Sequence, residues 1–236
     1  MSDVEMTRIP AGSVLRGDQR GEDRRVITVE AFDIGVYPVT EEQMAEILGI
    51  TAQNPRRPAV QVSWLRAVRF CNALSEWEGR DPVYAYDGEV VEWDTEADGF
   101  RLPTEAEWEY ACRAGCEAPR YGELRTIAAS EASGKYFGPV GMYEPNKWGL
   151  LDMLGLVFEW CADVYARYQP LSQVDPLRGL EGDETPETVE RVLRGGCYQG
   201  PDHFARASAR ASQPANVISL RIGFRVVLAR YDSPGP

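Results

Sequence analysis

Five cysteines and a single histidine are the residues of this 236-residue chain best suited to nucleophilic, redox or soft-metal chemistry. Their spacing limits that chemistry sharply. Cys71, Cys112, Cys116, Cys161 and Cys197 are odd in number, and no two stand in a CxxC pair. A dithiol redox centre or a zinc cluster draws on such spacing. Cys71 and Cys112 fall inside helical patterns among apolar neighbours, which marks them as small buried hydrophobes rather than disulfide partners or metal ligands. With His203 as the one histidine, a multi-histidine metal site cannot form within the chain, and a histidine-assisted nucleophile would have to use that residue.

The elements that must position these groups are short. MTRIPAGSVLRGD reads as a strand and turn, and RRVITVEAFDIGVYPV as strand material rich in β-branched and aromatic residues. Thr40 is placed to cap a helix over TEEQMAEIL, with Gln43 completing a capping box. Ser63 caps a second helix, in which Val68, Cys71, Leu74 and Trp77 recur at helical spacing up to Gly79. DPVYAYDGEVVEWD predicts a hairpin turning at Asp87-Gly88. Thr104 and Glu107 repeat the capping box ahead of a short helix ending near Gly115. Residues 116–147 read as irregular, 149–165 fit neither period, and 169–190 read as an acidic surface loop. RVLRGG and IGFRVVLAR close the chain, the latter as a final strand. With no divisive linker, the expectation is one α+β domain over residues 1–236 around a single core.

Composition narrows the function classes. Hydrophobic and charged contents of 44% and 26% are those of an ordinary soluble globular protein. No window approaches the roughly 18 apolar residues of a membrane span. The polar, acidic N-terminus does not read as a secretory signal, so a cytoplasmic location is the default expectation, with display by another route open. A net charge of −12 argues against a nucleic-acid partner.

Five segments, in order, resemble the formylglycine-generating-enzyme (sulfatase-modifying) family: YPVT (37–40), VSWLRAVRFCNALSE (62–76), GFRLPTEAEWEYACRAG (99–115), GLLDMLGLVFEWCAD (149–163) and RVLRGG with IGFRVV (191–227). The resemblance implies a loop-rich C-type-lectin-like fold. In catalytic members two cysteines between the last two motifs bind copper and oxidise a substrate cysteine. Their positions fall at about Gly200 and near His203–Ala205 here, and neither is cysteine, so no copper is expected. A branch using a histidine triad and iron is excluded by the single histidine. The resemblance also implies a Ca²⁺ site at Asp152, Gly155, Val157 and Glu159, whose oxygen donors suit a hard cation. The alternative is that Asp152 caps a turn and Glu159 pairs with an arginine.

Between the fixed motifs, residues 197–221 depart most from the family. Cys197, Tyr198, His203, Phe204, Ala205, Ala207, Ala209, Val217, Ile218, Leu220 and Arg221 stand where Ser, Trp or Asn is usual. Such mixing suits a ligand-binding surface on a rigid scaffold. It resembles the variable proteins of diversity-generating retroelements, in which adenine-directed mutation of AAC codons never yields Lys, Glu, Met or Trp. None of those four occurs from Cys197 to Arg221. Gln199 and Gln213 are not reachable from AAC and would be template-fixed. The expected function is non-catalytic binding of a protein or other ligand. The alternatives are an enzyme of the same fold with altered chemistry at Cys197 or His203, and a regulatory domain recognising a partner protein.

Overall fold

A computed structural model describes residues 4–16, 25–87, 90–131, 134, 136–166 and 188–229. The chain runs through β1 (Met6–Ile9), β2 (Gly12–Arg16), β3 (Arg25–Val29), β4 (Phe32–Gly35), α1 (Glu41–Leu48) and α2 (Trp64–Trp77). It continues through β5 (Tyr84–Asp87), β6 (Val90–Trp93), β7 (Phe100–Arg101), α3 (Glu105–Arg113) and α4 (Leu124–Ile127). The last elements are β8 (Phe158–Val164), β9 (Glu190–Arg194), β10 (Ala211–Pro214), β11 (Ile222–Gly223) and β12 (Val227–Ala229). Two sheets, ordered β1-β4-β12-β7 and β10-β9-β8-β11, are accompanied by the hairpins β2-β3 and β5-β6.

Local chemistry sets the helix starts. Thr40 Oγ1 accepts from the Gln43 amide at 3.2 Å while Gln43 Oε1 accepts from the Thr40 amide at 3.0 Å. Thr104 and Glu107 make the same reciprocal pair at 3.2 and 2.7 Å, and Ser63 accepts from the Arg66 amide. Each satisfies amides that the first helical turn leaves without intrahelical partners.

The core is organised by long-range anchors. Val68, Cys71 and Leu74 are buried, whereas Trp77, predicted on the same face, is 57% exposed because α2 ends there. Trp64 Nε1 donates to the Cys161 carbonyl and Trp160 Nε1 to the Val62 carbonyl, each at 2.9 Å, so two indoles cross-link the start of α2 to β8. Burying both rings while satisfying both N–H groups stabilises the junction by several kcal/mol, at about 25 cal/mol per Å² of apolar surface. Buried apolar residues divide into one large cluster around α2, a second around α3 and a small third of Ala129, Val140, Leu156 and Val157.

Three expectations need correction. IGFRVVLAR is two strands: β11 pairs parallel with β8, and β12 pairs antiparallel with β4 and β7. The chain crosses between sheets at Phe224–Val226, where the Phe224 carbonyl accepts from Val39 and the Val226 carbonyl from Gly35. The predicted irregular stretch 116–147 contains α4. Glu190 belongs to β9, and the rest of the predicted acidic loop lies outside the described residues except for Thr188 and Val189. The β5-β6 pairing agrees with the predicted hairpin, with Asp87 inside the strand and Gly88 outside the described residues.

Candidate functional site

Residues 197–221 are held from beneath by buried ions. Arg194, fully buried at the end of β9, donates to Glu105 at 3.1 Å, to Glu109 at 2.6 Å and to the Ala207 carbonyl. Arg210 embraces Glu105 through Nε and Nη2 at 2.5 and 2.8 Å. Arg113 completes the network on Glu109 at 2.8 Å. Two carboxylates from one face of α3 thus hold three guanidiniums, one from inside the segment. Arg120 donates to the carbonyls of Ala205 and Asp202 at 2.7 and 2.8 Å, and the Ala207 amide donates to Pro119. Charge-assisted bonds in a dry interior tolerate little displacement, so the segment has a fixed path despite its few strand residues.

That path sorts the predicted contact residues into two rows. Cys197, Ala205, Ala207 and Ala209 are buried, Ala205 and Ala207 within the α3 cluster. They form the floor, beneath the surface on which they were expected. The physical reason is close approach: a Cβ on Gly196 would stand 3.0 Å from the Ala205 amide nitrogen. The outer row comprises the exposed His203, Ile218, Leu220 and Arg221, with Tyr198, Phe204 and Val217 half-buried. Ile218 and Leu220 are 64% and 56% exposed.

The outer row meets aromatic residues from elsewhere. Tyr198 lies 5.3 Å from Phe137, which carries the Arg57 guanidinium at 5.3 Å from its ring. Phe204 packs edge-on to Phe158 at 5.5 Å and against His203 at 4.3 Å. The Phe158 amide donates to the Arg221 carbonyl, and the Gln61 amide to Ser219. Phe137 and Arg57 were not foreseen. Phe137 sits in irregular backbone and Arg57 just before Pro58, and neither position carries a periodic signal.

Asp152, Gly155, Val157 and Glu159 come together around one buried turn, with Asp152 and Leu156 in left-handed backbone at φ 57° and 58°. Gly155 is required there: its φ is +77°, and a Cβ would stand 2.2 Å from the Ala129 carbonyl oxygen. The carboxylates are engaged differently. Glu159 takes Arg225 Nε and Nη2 at 2.6 and 2.8 Å and Trp108 Nε1 at 2.8 Å. Asp152 Oδ2 accepts from the Gly141 amide at 2.6 Å, while its Oδ1 is buried and unpartnered. Burial pushes the Asp152 carboxyl up to about 6, against the lowering effects of that amide and Arg225. Among the described residues no three His, Cys, Asp or Glu side chains are grouped to hold a metal ion. The donor set does not fit Ca²⁺, because Arg225 already supplies the positive charge on Glu159; the turn-cap and arginine-pair alternative describes these contacts.

Nucleophilic chemistry finds little support in the geometry. Burial pushes the Cys197 thiol above the ordinary cysteine value, against the Gln199 and Gly200 amides and Arg221. A protonated, covered thiol is a poor nucleophile. His203 rests on Phe204 at the exposed edge.

Comparison with known proteins places this geometry in context. The family model for the sulfatase-modifying factor enzyme 1-like domain matches residues 2–230. The formylglycine-generating enzyme of Mycobacterium tuberculosis is 29% identical over 95% of this chain and 97% of its own length. Serine/threonine-protein kinase pkn1 of Chlamydia pneumoniae is 32% identical over 94% of the chain, which spans 37% of the kinase's length. Among solved structures, variable protein 1 of Treponema denticola superposes with a TM-score of 0.81 at 27% identity, covering 94% of both chains.

Proposed function

The chain belongs to the sulfatase-modifying factor enzyme 1-like family and has its C-type-lectin-like fold, and from that premise we propose that it is a non-catalytic ligand-binding protein displaying the outer row of residues 198–221. The observation that carries this reading is the two-row division of the segment. Small buried residues lock the backbone to α3, while chemically mixed side chains project from it and touch no catalytic constellation. Such an arrangement lets side chains change without moving the scaffold. Loss of both cysteine positions removes the soft ligand pair that copper-dependent thiol oxidation needs. The ligand is a protein or other molecule met at this face rather than nucleic acid, in keeping with the net charge of −12.

Diversification by a retroelement is part of this proposal. It is supported by the absence of Lys, Glu, Met and Trp from residues 197–221 and by the likeness to the Treponema denticola variable protein. Sequencing the locus and its surroundings tests it. A near-identical template repeat beside a reverse transcriptase, with substitutions at Tyr198, His203, Phe204, Ile218, Leu220 or Arg221, is expected. A locus without a template repeat would remove diversification and leave an undiversified binding domain.

A further inference from the structure

Residues 197–221 have a charge balance opposite to that of the chain. The protein carries 37 acidic and 25 basic residues, yet residues 197–221 hold three arginines and one carboxylate, Asp202. Two of those arginines, Arg206 and Arg210, are tied down, by the His203 carbonyl and by Glu105. Arg221 is exposed beside Phe158 and within electrostatic reach of the Cys197 thiol. Across the face, Arg57 stacks on Phe137 and Arg56 on Tyr37, each guanidinium carbon 5.3 Å from the ring centroid. Phe137, Tyr37 and Tyr198 pack on one small buried cluster, which brings Arg56 and Arg57 to the Tyr198 end of the segment. No carboxylate among the described residues forms an ion pair with Arg56, Arg57 or Arg221.

We infer that this face binds a protein segment in which acidic side chains flank an exposed apolar or aromatic residue. The inference rests on the display reading and specifies its partner. A guanidinium stacked on a ring keeps its edge N–H donors free, and that edge matches a carboxylate in two-point geometry. Next to Arg221 in the chain, Ile218 and Leu220 expose apolar surface that only an apolar group would bury with gain. Nucleic acid would meet the charges but leave these side chains unpaired, and its dense phosphates would be repelled by the remainder of a −12 protein. Screening confines the field that a short acidic segment meets to roughly 10 Å at ordinary salt, a range that includes Glu41 and Glu42, whose amides donate to the Arg57 and Pro55 carbonyls, as well as the arginines.

A random-peptide phage library panned on the whole protein tests this, with two variants for comparison. R57E/R221E reverses the cations, and I218S/L220S removes the apolar ridge; both alter exposed or half-buried side chains and are checked by melting. The expected pool is rich in Asp or Glu beside an apolar or aromatic residue. Its synthetic peptides should lose roughly tenfold or more in affinity on either variant and weaken as salt rises. Peptides that lose affinity on I218S/L220S but lack acidic residues and ignore R57E/R221E would overturn the inference while leaving display at this face intact. Peptides indifferent to both variants, or an empty pool, would overturn the inference and also count against the display reading.

Discussion

Arg194 is where the account is most exposed to a stability measurement. Arg194→Met keeps much of the side-chain volume but removes donors from Glu105, Glu109 and the Ala207 and Ser208 carbonyls. Breaking a buried pair from one side costs about 3–5 kcal/mol when the partner charge is left alone. Here Glu109 retains Arg113 and Glu105 retains Arg210, which places the ionic cost at the lower end of that range. The carbonyls, above all that of Ala207, lose a charged donor in a dry setting, adding roughly 1 kcal/mol. The total is about 4 kcal/mol. For a chain of this size each kcal/mol lowers Tm by about 2–4 °C, so a fall of roughly 8–16 °C is expected. Calorimetry gives the shift, and hydrogen exchange at 205–211 should rise ahead of global unfolding. Glu109→Gln should cost less on the Arg194→Met background than in wild type, because the carboxylate then serves Arg113 alone. A shift below about 1 kcal/mol, or a double mutant that merely adds the two losses, would refute the claim that Arg194 locks the segment.

Three further outcomes are expected. Asp152 has its folded value raised from 3.8 to about 6, so its contribution is most favourable below the unfolded value and is lost as pH rises through about 6. Asp152→Asn, which can still accept from Gly141, should therefore flatten stability between about pH 4 and 7 relative to wild type. At neutral pH it should stabilise by an amount on the order of 1–3 kcal/mol, read by urea melts; a destabilised, equally pH-dependent variant would contradict this. Alkylation of the native protein should be slow at Cys197 and fastest at half-buried Cys116, with all five thiols reacting once unfolded; rapid native labelling of Cys197 would revive the enzyme alternative. Adding EDTA or Ca²⁺ should leave Tm unchanged, because Arg225 neutralises Glu159; a Ca²⁺-dependent rise would show that Asp152 recruits a metal despite that pairing.

Features governed by neighbouring residues were legible in the sequence. Thr40 with Gln43, Thr104 with Glu107, and Ser63 announce helix starts because a cap and its partner lie three residues apart. The floor and rim of 197–221 were not separable, since little of that segment forms a regular element and alternation says nothing about which side faces inward. Ala205 looks as available as Leu220 until Arg194, Arg120 and Pro119 fix the backbone at Ala205 and Ala207. The partner of Glu159 was likewise hidden: Arg225 lies 66 residues further along. It sits in a motif that reads as continuous strand, yet it marks the crossing between two sheets.

Randomising codons at two sets of positions tests the central claim most directly. One library varies the rim (His203, Ile218, Leu220, Arg221), and the other varies the floor (Cys197, Ala205, Ala207, Ala209). Cooperative folding of individual clones is then scored by protease resistance. Most rim clones are expected to fold with near wild-type melting, while most floor clones fail. Equal failure of both libraries would contradict a scaffold built to display changeable side chains.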